Sequence, residues 1–286
     1  MAACRIGRGD PRGRPIVGGT ESSLRDSIVA LFLLPVALHQ TMQSFAFCLG
    51  SARQSVAAPF AQGEDEQLTR AVVQLLAVGP GANGKKEECA ATGFVVNEEG
   101  YILTNAHVVD DARRCLASSP GAKIVAKYGA AASRSVQAVS CDVVALDEEH
   151  DLAILKPERP VASQPPQTFL RLDPQPVSPG TPVTVTGHPS FIWQPQTRQG
   201  KVSGRERLAL DDANAPPSEV IVINIPLQRG ASGSPVYLES GAVVGIVERR
   251  RPGRPTQTVA VPVGYAIQLL DVNRVPWHSA AVKEGQ

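Results

Sequence analysis

The chain has 286 residues, and its 28 Lys and Arg residues nearly balance its 27 Asp and Glu residues, leaving a formal net charge of +1. This balance argues against a nucleic-acid-binding protein, because that class usually carries a concentrated positive field. Apolar residues make up 43 % of the chain, which excludes disorder of the whole chain. The 25 Gly and 24 Pro residues favour many turns and few long helices, and the length allows one large β domain or two small ones.

The first 61 residues are predicted to form a targeting or disordered segment. Within it, Ile28–Leu38 is apolar throughout and follows Arg25. This run is too short to span a bilayer, which takes ~20 residues, but it has the length of a signal-peptide core. Residues 55–57 (SVA) fit a small-x-small cleavage pattern. We therefore expect a secreted or periplasmic protein; a membrane anchor around residues 28–57 and an incorrectly assigned start are the alternatives.

The five cysteines are Cys4, Cys48, Cys89, Cys115 and Cys141. They form no CxxC pair, so a zinc ribbon or a thioredoxin-like motif has no support. The first two lie in the N-terminal segment. The other three leave room for one disulfide and one free thiol, and the sequence does not say which pair closes.

From Leu68 onward, short β-rich runs alternate with turn residues. Such spacing predicts an all-β barrel or sandwich of about twelve strands. Two helices are predicted, over Ala106–Leu116 and Tyr265–Asn273. The predicted strands are Ala71–Val78, Thr92–Asn97, Tyr101–Thr104, Lys123–Lys127, Ser135–Ala145, Leu152–Leu155, Pro182–Gly187, Gly200–Ser203, Val220–Ile225, Pro235–Leu238, Val243–Val247 and Thr258–Val261.

Three separate segments carry residues suited to nucleophilic catalysis. A predicted hairpin with its turn at residues 97–100 delivers His107 at the end of its second strand, and an imidazole can act as a general base near neutral pH. Asp151 opens an apolar strand, where its carboxylate can orient an imidazole. Ser232 lies in a glycine-rich turn, where the N–H groups of Gly230 and Ser232 can converge on one oxyanion.

Each segment alone is a weak signal, and their order along the chain is what gives them weight. His107, Asp151 and Ser232 follow one another at separations of 44 and 81 residues. This is one of the known chain orders of a Ser-His-Asp triad. An esterase on an α/β-hydrolase fold is excluded, because that fold needs Ser before Asp before His.

The motifs resemble those of the trypsin/chymotrypsin fold, in particular its HtrA/DegP-like branch. The matching segments TGFVVNEEGYILTNAHVV, HDLAILK, RGASGSPV and VVGIV appear in colinear order, and PVTVTGHPS and GYAI fit further strands. The resemblance covers roughly residues 68–272. It implies two six-stranded antiparallel β-barrels with the active site in the cleft between them and a short C-terminal helix. The protease domain would span residues 62–272, followed by a tail at 273–286.

The resemblance also implies roles for individual residues. His107 would be the general base, Asp151 its orienting carboxylate and Ser232 the nucleophile, with the N–H groups of Gly230 and Ser232 as the oxyanion hole. The implied function is a serine endopeptidase that hydrolyses polypeptides through an acyl-enzyme and needs no cofactor. The alternative is a protease-fold binding or scaffold protein with little activity.

The chain departs from the family's pattern at several positions. The usual GNSGGP or GDSGGP reads GASGSP here, so that Ala231 and Ser234 replace the usual residues. The GSP form also occurs in glutamyl-endopeptidase-like relatives, but those carry a His where Val247 stands, so a glutamyl preference is not expected. Only 14 residues follow Val272, and we therefore expect no regulation by a PDZ domain.

Four residues are predicted to bind substrate. Leu227 lies five residues before Ser232 and would line the S1 pocket, favouring small or medium aliphatic side chains at P1. Val247 lies at the position of the specificity strand, and Glu248 and Arg249 begin the charged run that follows the last wall strand. For the charged run at residues 248–251 a solvated loop is the preferred interpretation, and a cationic rim that selects acidic substrate residues is the alternative.

The other histidines receive structural interpretations. His150 is expected to be exposed and not to act as a second base. His188 and Trp193 are expected to lie in a loop that borders the cleft.

Two further motifs are set aside. The acidic residues that a metal would need form no recognised loop, so no metal is predicted; they are Asp110, Asp111, Glu148 and Glu149. Residues 16–19 (IVGG) match the N-terminus of activated trypsin-like zymogens. They lie too far before His107, however, and Ala231 stands where the partner carboxylate would be.

Overall fold

A computed structural model of the chain describes residues 68–80, 86–116, 123–128, 136–161, 168–189, 192–210 and 216–280. All of them belong to one compact unit, residues 57–286. The predicted signal-like segment and its cleavage pattern lie outside the described residues. Within these ranges, no helix is both long and apolar enough to cross a membrane.

The first six strands close into an antiparallel barrel in the order β1-β2-β3-β6-β5-β4. Consecutive side chains of a strand point to opposite faces, and β4 shows this as an alternation of buried and more exposed positions. The six strands are β1 Val72–Pro80, β2 Lys86–Val95, β3 Ile102–Thr104, β4 Lys123–Tyr128, β5 Gln137–Asp147 and β6 Leu152–Pro157.

The last six strands close into a second antiparallel barrel in the order β10-β11-β12-β9-β8-β7. The strands are β7 Pro182–Gly187, β8 Gln196–Leu208, β9 Ser218–Ile223, β10 Pro235–Tyr237, β11 Val243–Arg250 and β12 Thr258–Pro262. Because closure of a sheet removes its exposed edges, each barrel is a self-contained unit. The predicted pair of six-stranded barrels is thereby confirmed.

Strand β6 joins the two barrels through alternate side chains. Ala153 and Leu155 point into the core of the first barrel. Leu152 and Ile154 belong to a different cluster that also contains Ile246 of the second barrel. The start of β6 therefore lies where the two barrels meet, which is where Asp151 is held.

Besides helical residues at 68–71, the described fold contains two longer helices. Helix α1, Ala106–Leu116, begins two residues after β3 and buries Val108, Val109 and Ala112 against the first barrel. Helix α2, Val263–Val272, follows β12 directly and buries an apolar face on the shared cluster. Both were predicted, with α1 at the same bounds.

Several strands are longer than predicted, and β8 differs most. Strand β8 covers Gln196–Leu208 where only Gly200–Ser203 was expected. Its sequence is mostly polar and gives little hydrophobic alternation, but pairing with β7 and β9 holds it extended. Strand β11 runs on to Arg250, because its last residues pair with Val259 and Thr258 of β12.

The cysteines fall into the two predicted states. Cys89 is disulfide-bonded, and Cys141 is a buried free thiol. Burial raises the pKa of the Cys141 thiol to about 12, so this group is a protonated part of the core.

Candidate active site

His107 and Asp151 form a doubly hydrogen-bonded pair. The imidazole Nδ1 lies 2.7 Å from Asp151 Oδ2, and the backbone N–H of His107 donates to Asp151 Oδ1 at 2.8 Å. His107 is the second residue of α1, three positions beyond Thr104, where β3 ends. With Nδ1–H held by the carboxylate, Nε2 is left as the basic nitrogen.

The Asp151 carboxylate is held by an unusual backbone conformation. Asp151 is only 1 % exposed and has φ of +53°, a left-handed value that Asp tolerates better than most residues. The Asn105 side-chain amide donates to the Asp151 carbonyl at 3.0 Å. Sequence reasoning missed Asn105, although its position two residues before His107 was available as a signal.

The electrostatic surroundings favour the protonated imidazole. Burial by itself lowers the His107 pKa, but the hydrogen bond and negative charge of Asp151 outweigh it. The charges of Glu248 and Asp111 act in the same direction as Asp151, and the net effect is a raised pKa. An imidazole in this site is therefore a stronger base than an ordinary histidine.

Ser232 is the second residue of the second of two consecutive tight turns, 228–231 and 231–234. The Ala231 N–H donates to the Gln228 carbonyl at 3.2 Å, and the Ser234 N–H donates to the Ala231 carbonyl at 3.0 Å. The third residues of these turns, Gly230 and Gly233, have φ of +89° and +81°, which identifies both as type II turns. The loop therefore depends on glycine at both positions.

The first turn orients the N–H of Gly230. Positive φ at the third residue rotates the central peptide, which carries this N–H, by roughly half a turn relative to a type I turn. Within the described part of the chain, neither the Gly230 nor the Ser232 N–H donates to a backbone carbonyl. Both donors are available for a bound oxygen.

Thr92 of β2 fastens this loop to the first barrel. Its hydroxyl donates to the Gly230 carbonyl at 2.8 Å, and its backbone N–H donates to the Ser232 carbonyl at 2.9 Å. The same hydroxyl accepts the His188 N–H at 2.9 Å. Thr92 was predicted only as a strand residue, and nothing in the sequence distinguished it.

His107 and Ser232 line one opening of about 320 Å³ together with Gly230 and Arg229. The Ser232 hydroxyl donates to the Glu248 carbonyl at 3.0 Å. To donate to the imidazole, the hydroxyl must give up this hydrogen bond. Hydrogen bonds of this kind are often made only when substrate is bound.

The predicted substrate-binding residues are not all brought to this opening. Leu227 instead lines a separate cavity of about 30 Å³ with Gly187 and Ala231. Val247 is 2 % exposed and packs in the core of the second barrel.

The charged run at residues 248–251 is not a solvated loop, and that interpretation was wrong. Glu248 is 4 % exposed, and β11 extends through Arg250. Arg249 donates to the Leu210 and Ala209 carbonyls and to Glu248. Its charge is therefore occupied within the protein.

Two predictions about histidines also need correction. His150 is half-buried rather than exposed, since its imidazole bonds Asp147 at 2.8 Å and stacks on Tyr265 at 3.9 Å. His188 does not border the opening: it is 1 % exposed and stacks on Trp193 at 5.7 Å. Burial lowers the His188 pKa to about 4, so the imidazole is neutral.

Two of the acidic residues considered as metal ligands form ion pairs with neighbouring arginines. Asp110 and Asp111 pair with Arg113 and Arg114 along α1 at 3.2 and 2.5 Å. Among the described residues, the group of side chains with a geometry open to a metal is His107, Asp151 and Glu248.

Solved structures share this two-barrel fold. The active form of the Rv3671c protease from M. tuberculosis has a TM-score of 0.58 at 22 % identity and covers 74 % of this chain and 85 % of its own. Deg5 has a TM-score of 0.54 at 20 % identity and covers 73 % of this chain and 93 % of its own. At these identities the likeness defines the two-barrel fold alone.

The family follows from sequence comparison. Residues 91–246, more than half of the chain, match the trypsin-like peptidase domain. The chain therefore belongs to the trypsin-like peptidase family, a family of hydrolases. Similar curated proteins are named probable periplasmic serine endoprotease DegP-like; those of Halomonas elongata and Rhizobium meliloti are each 29 % identical over 67 % and 68 % of this chain. The matched region is 37 % and 35 % of the length of these relatives.

Proposed function

We propose that this chain is a serine endopeptidase in which Ser232, His107 and Asp151 form the catalytic triad. The observation that carries the proposal is the buried His107–Asp151 pair, which opens onto the same crevice as the glycine-flanked Ser232. Membership of the peptidase family supports the reaction class. Polypeptides are the substrates that this chemistry requires.

In the first half of the reaction, the Ser232 hydroxyl attacks the scissile carbonyl carbon. His107 Nε2 accepts the hydroxyl proton, and the resulting imidazolium is stabilised by Asp151. The carbonyl oxygen becomes an oxyanion that accepts hydrogen bonds from the N–H groups of Gly230 and Ser232. One such donor is typically worth about 3 kcal/mol of transition-state stabilisation.

The second half of the reaction returns the enzyme to its starting state. The imidazolium gives its proton to the leaving amine as the peptide C–N bond breaks, and an ester on Ser232 remains. Water then attacks the ester, with His107 again accepting and returning a proton. Both halves need the carboxylate to keep the imidazole in one tautomer.

Covalent labelling with a fluorophosphonate tests the proposal, because only an activated serine reacts. We expect the wild-type chain to be labelled and the adduct to map to Ser232. Ser232→Ala and His107→Ala should lose labelling and peptidase activity by orders of magnitude. Ser234→Ala is the matched control: it lies in the same loop, and its buried hydroxyl has no hydrogen-bond partner in the part of the chain that the structure describes. An unlabelled but folded wild-type chain contradicts the proposal.

A protease-fold binding or scaffold protein is the second candidate. The observation in its favour is that the Ser232 hydroxyl donates to Glu248 rather than to His107. If the Ser232 hydroxyl keeps this hydrogen bond when a peptide is bound, peptides will bind without being cut. Binding of a peptide measured by calorimetry, with no cleavage and no labelling, would favour this candidate.

We also propose that the chain is exported to the periplasm or secreted. The support is the signal-like segment and the periplasmic description of the similar relatives. Intact-mass measurement of the protein from a periplasmic fraction tests this. A chain found only in the cytoplasm with its full N-terminus overturns it.

A further inference from the structure

Glu248 brings a second carboxyl group to the centre formed by His107 and Asp151. One side-chain ligand atom from each of these three residues lies within 4.8 Å of the other two. Glu248 belongs to β11, Asp151 directly precedes β6, and His107 belongs to α1. Two carboxyl groups from two different barrels therefore approach one imidazole.

The two oxygens of Glu248 have different surroundings. Oε1 accepts a hydrogen bond from Arg249 Nη1 at 2.5 Å. Oε2 is buried and has no hydrogen-bond partner among the described residues. A fully ionised carboxylate with one unpartnered buried oxygen is unfavourable. Burial of Oε2 therefore favours the neutral form of Glu248, whereas the hydrogen bond from Arg249 favours the charged form.

The charged groups around Glu248 oppose one another. Burial raises the Glu248 pKa and the charge of Asp151 adds to the rise, whereas Arg249 and His107 lower it, and the resulting value is about 7. Asp111 on α1 also acts on the imidazole. Each group therefore changes the pKa of the other, and their proton equilibria are coupled.

We propose that Glu248 is a positioning residue of the active site, a second carboxyl group whose ionisation is coupled to that of the His107 imidazole. This inference rests on the proposed function, in which His107 is the general base. An ionised Glu248 favours the imidazolium, and the imidazolium in turn favours the ionised Glu248. Loss of the Glu248 charge frees the neutral imidazole at lower pH.

NMR titration of His107 tests this coupling without relying on activity. The measurement uses a Ser232→Ala background, with and without Glu248→Gln. We expect Glu248→Gln to move the His107 midpoint to lower pH. Glu206→Gln is the matched control, because Glu206 pairs with Arg251 outside this centre. Equal midpoints with and without Glu248→Gln overturn the proposal.

The pH profile of kcat/KM is the second readout. When kcat/KM is expressed as a fraction of each enzyme's plateau value, Glu248→Gln should have about threefold or more of the wild-type fraction on the acidic limb. The reason is that its His107 stays unprotonated to lower pH. Glu206→Gln should follow wild type. A Glu248→Gln profile that only scales the wild-type curve down indicates a merely structural role and overturns the proposal.

The two proposals fail in different ways. If the wild-type chain is neither labelled nor active, the proposed function fails while the NMR titration still tests Glu248. If labelling is normal and the His107 midpoint does not move, only the role of Glu248 fails. Should Glu248→Gln not fold, Glu248→Met removes both the charge and the buried polar oxygens and is expected to give the same shift.

Discussion

Replacement of Gly233 by alanine tests whether the turn at Ser232 is set by close packing as well as by backbone conformation. Gly233 has φ of +81°, and a Cβ at this position would lie 1.9 Å from the Thr92 carbonyl oxygen and 2.4 Å from the Thr104 hydroxyl oxygen. Those two oxygens are joined by a hydrogen bond of 2.8 Å. The added methyl group would enter that hydrogen bond.

Gly180 supplies a matched control. It is also the third residue of a turn closed by the Thr181 N–H and the Ser178 carbonyl at 3.1 Å, and its φ is +88°. A Cβ at Gly180 meets nothing within 4 Å. Gly180→Ala therefore measures the backbone penalty alone, about 1–2 kcal/mol.

Gly233→Ala should lower the free energy of unfolding by the same backbone penalty and by a further amount for overpacking, about 1–3 kcal/mol. The broken hydrogen bond brings the total loss to about 3–5 kcal/mol. At 2–4 °C per kcal/mol for a domain of this size, the expected fall in Tm is about 10 °C for Gly233→Ala and about 4 °C for Gly180→Ala. Urea unfolding followed by tryptophan fluorescence measures the free-energy loss of each variant, and thermal unfolding measures the fall in Tm. Equal losses in the two variants would refute the packing argument.

The remaining predictions concern the site and its surroundings. Thr92→Val should reduce kcat/KM and lower stability by about 1–2 kcal/mol, since it removes the hydroxyl that bonds the Gly230 carbonyl; labelling rates and thermal unfolding measure both effects. Asp151→Asn should lower kcat by orders of magnitude at neutral pH with the fold intact by circular dichroism, because the imidazole loses its orienting charge. The acidic limb of kcat/KM should have its midpoint above 6.5, the ordinary histidine value, because the folded protein raises the His107 pKa. In the folded protein the pKa of His188 is lowered from 6.5 to about 4. The neutral imidazole therefore contributes its full stability above pH 6.5, and about 3 kcal/mol of the free energy of unfolding is lost as the pH falls to 4. Urea unfolding at pH 7 and pH 4.5 should show that His188→Gln loses less stability at the acidic pH than wild type does.

The regular strands were predictable because their side chains alternate or are continuously apolar. Strand β7 was expected at Pro182–Gly187 and has those bounds. Strand β8 was truncated in the prediction because its residues are mostly polar, and only its neighbours in the barrel keep it extended. Tertiary pairing of this kind leaves no local signal.

The site was predictable as a set of residue types but not in its supporting contacts. The order of His107, Asp151 and Ser232 along the chain identified the pattern. The left-handed conformation of Asp151 arises from the junction of β5 and β6, which single-sequence reasoning cannot place. Glu248 opens a run of four charged residues, and it lies at a shift in the pairing of β11 with β12, between Val247 and Arg249. A shift of this kind leaves no local signal in the sequence.

The loop at Ser232 is ordered here without the buried ion pair that the resemblance would associate with zymogen activation. Ala231 stands at the position of that carboxylate and is 4 % exposed in the core of the second barrel. Burial of the Ala231 side chain thus holds the loop to the second barrel. Thr92 holds the loop to the first barrel through its hydrogen bonds to the Gly230 and Ser232 carbonyls. Neither anchor carries a charge, so neither depends on an ion pair with an N-terminal ammonium. The IVGG motif itself lies outside the described residues. The electrostatics of the site are concentrated instead around His107, where Asp151 and Glu248 supply the charge.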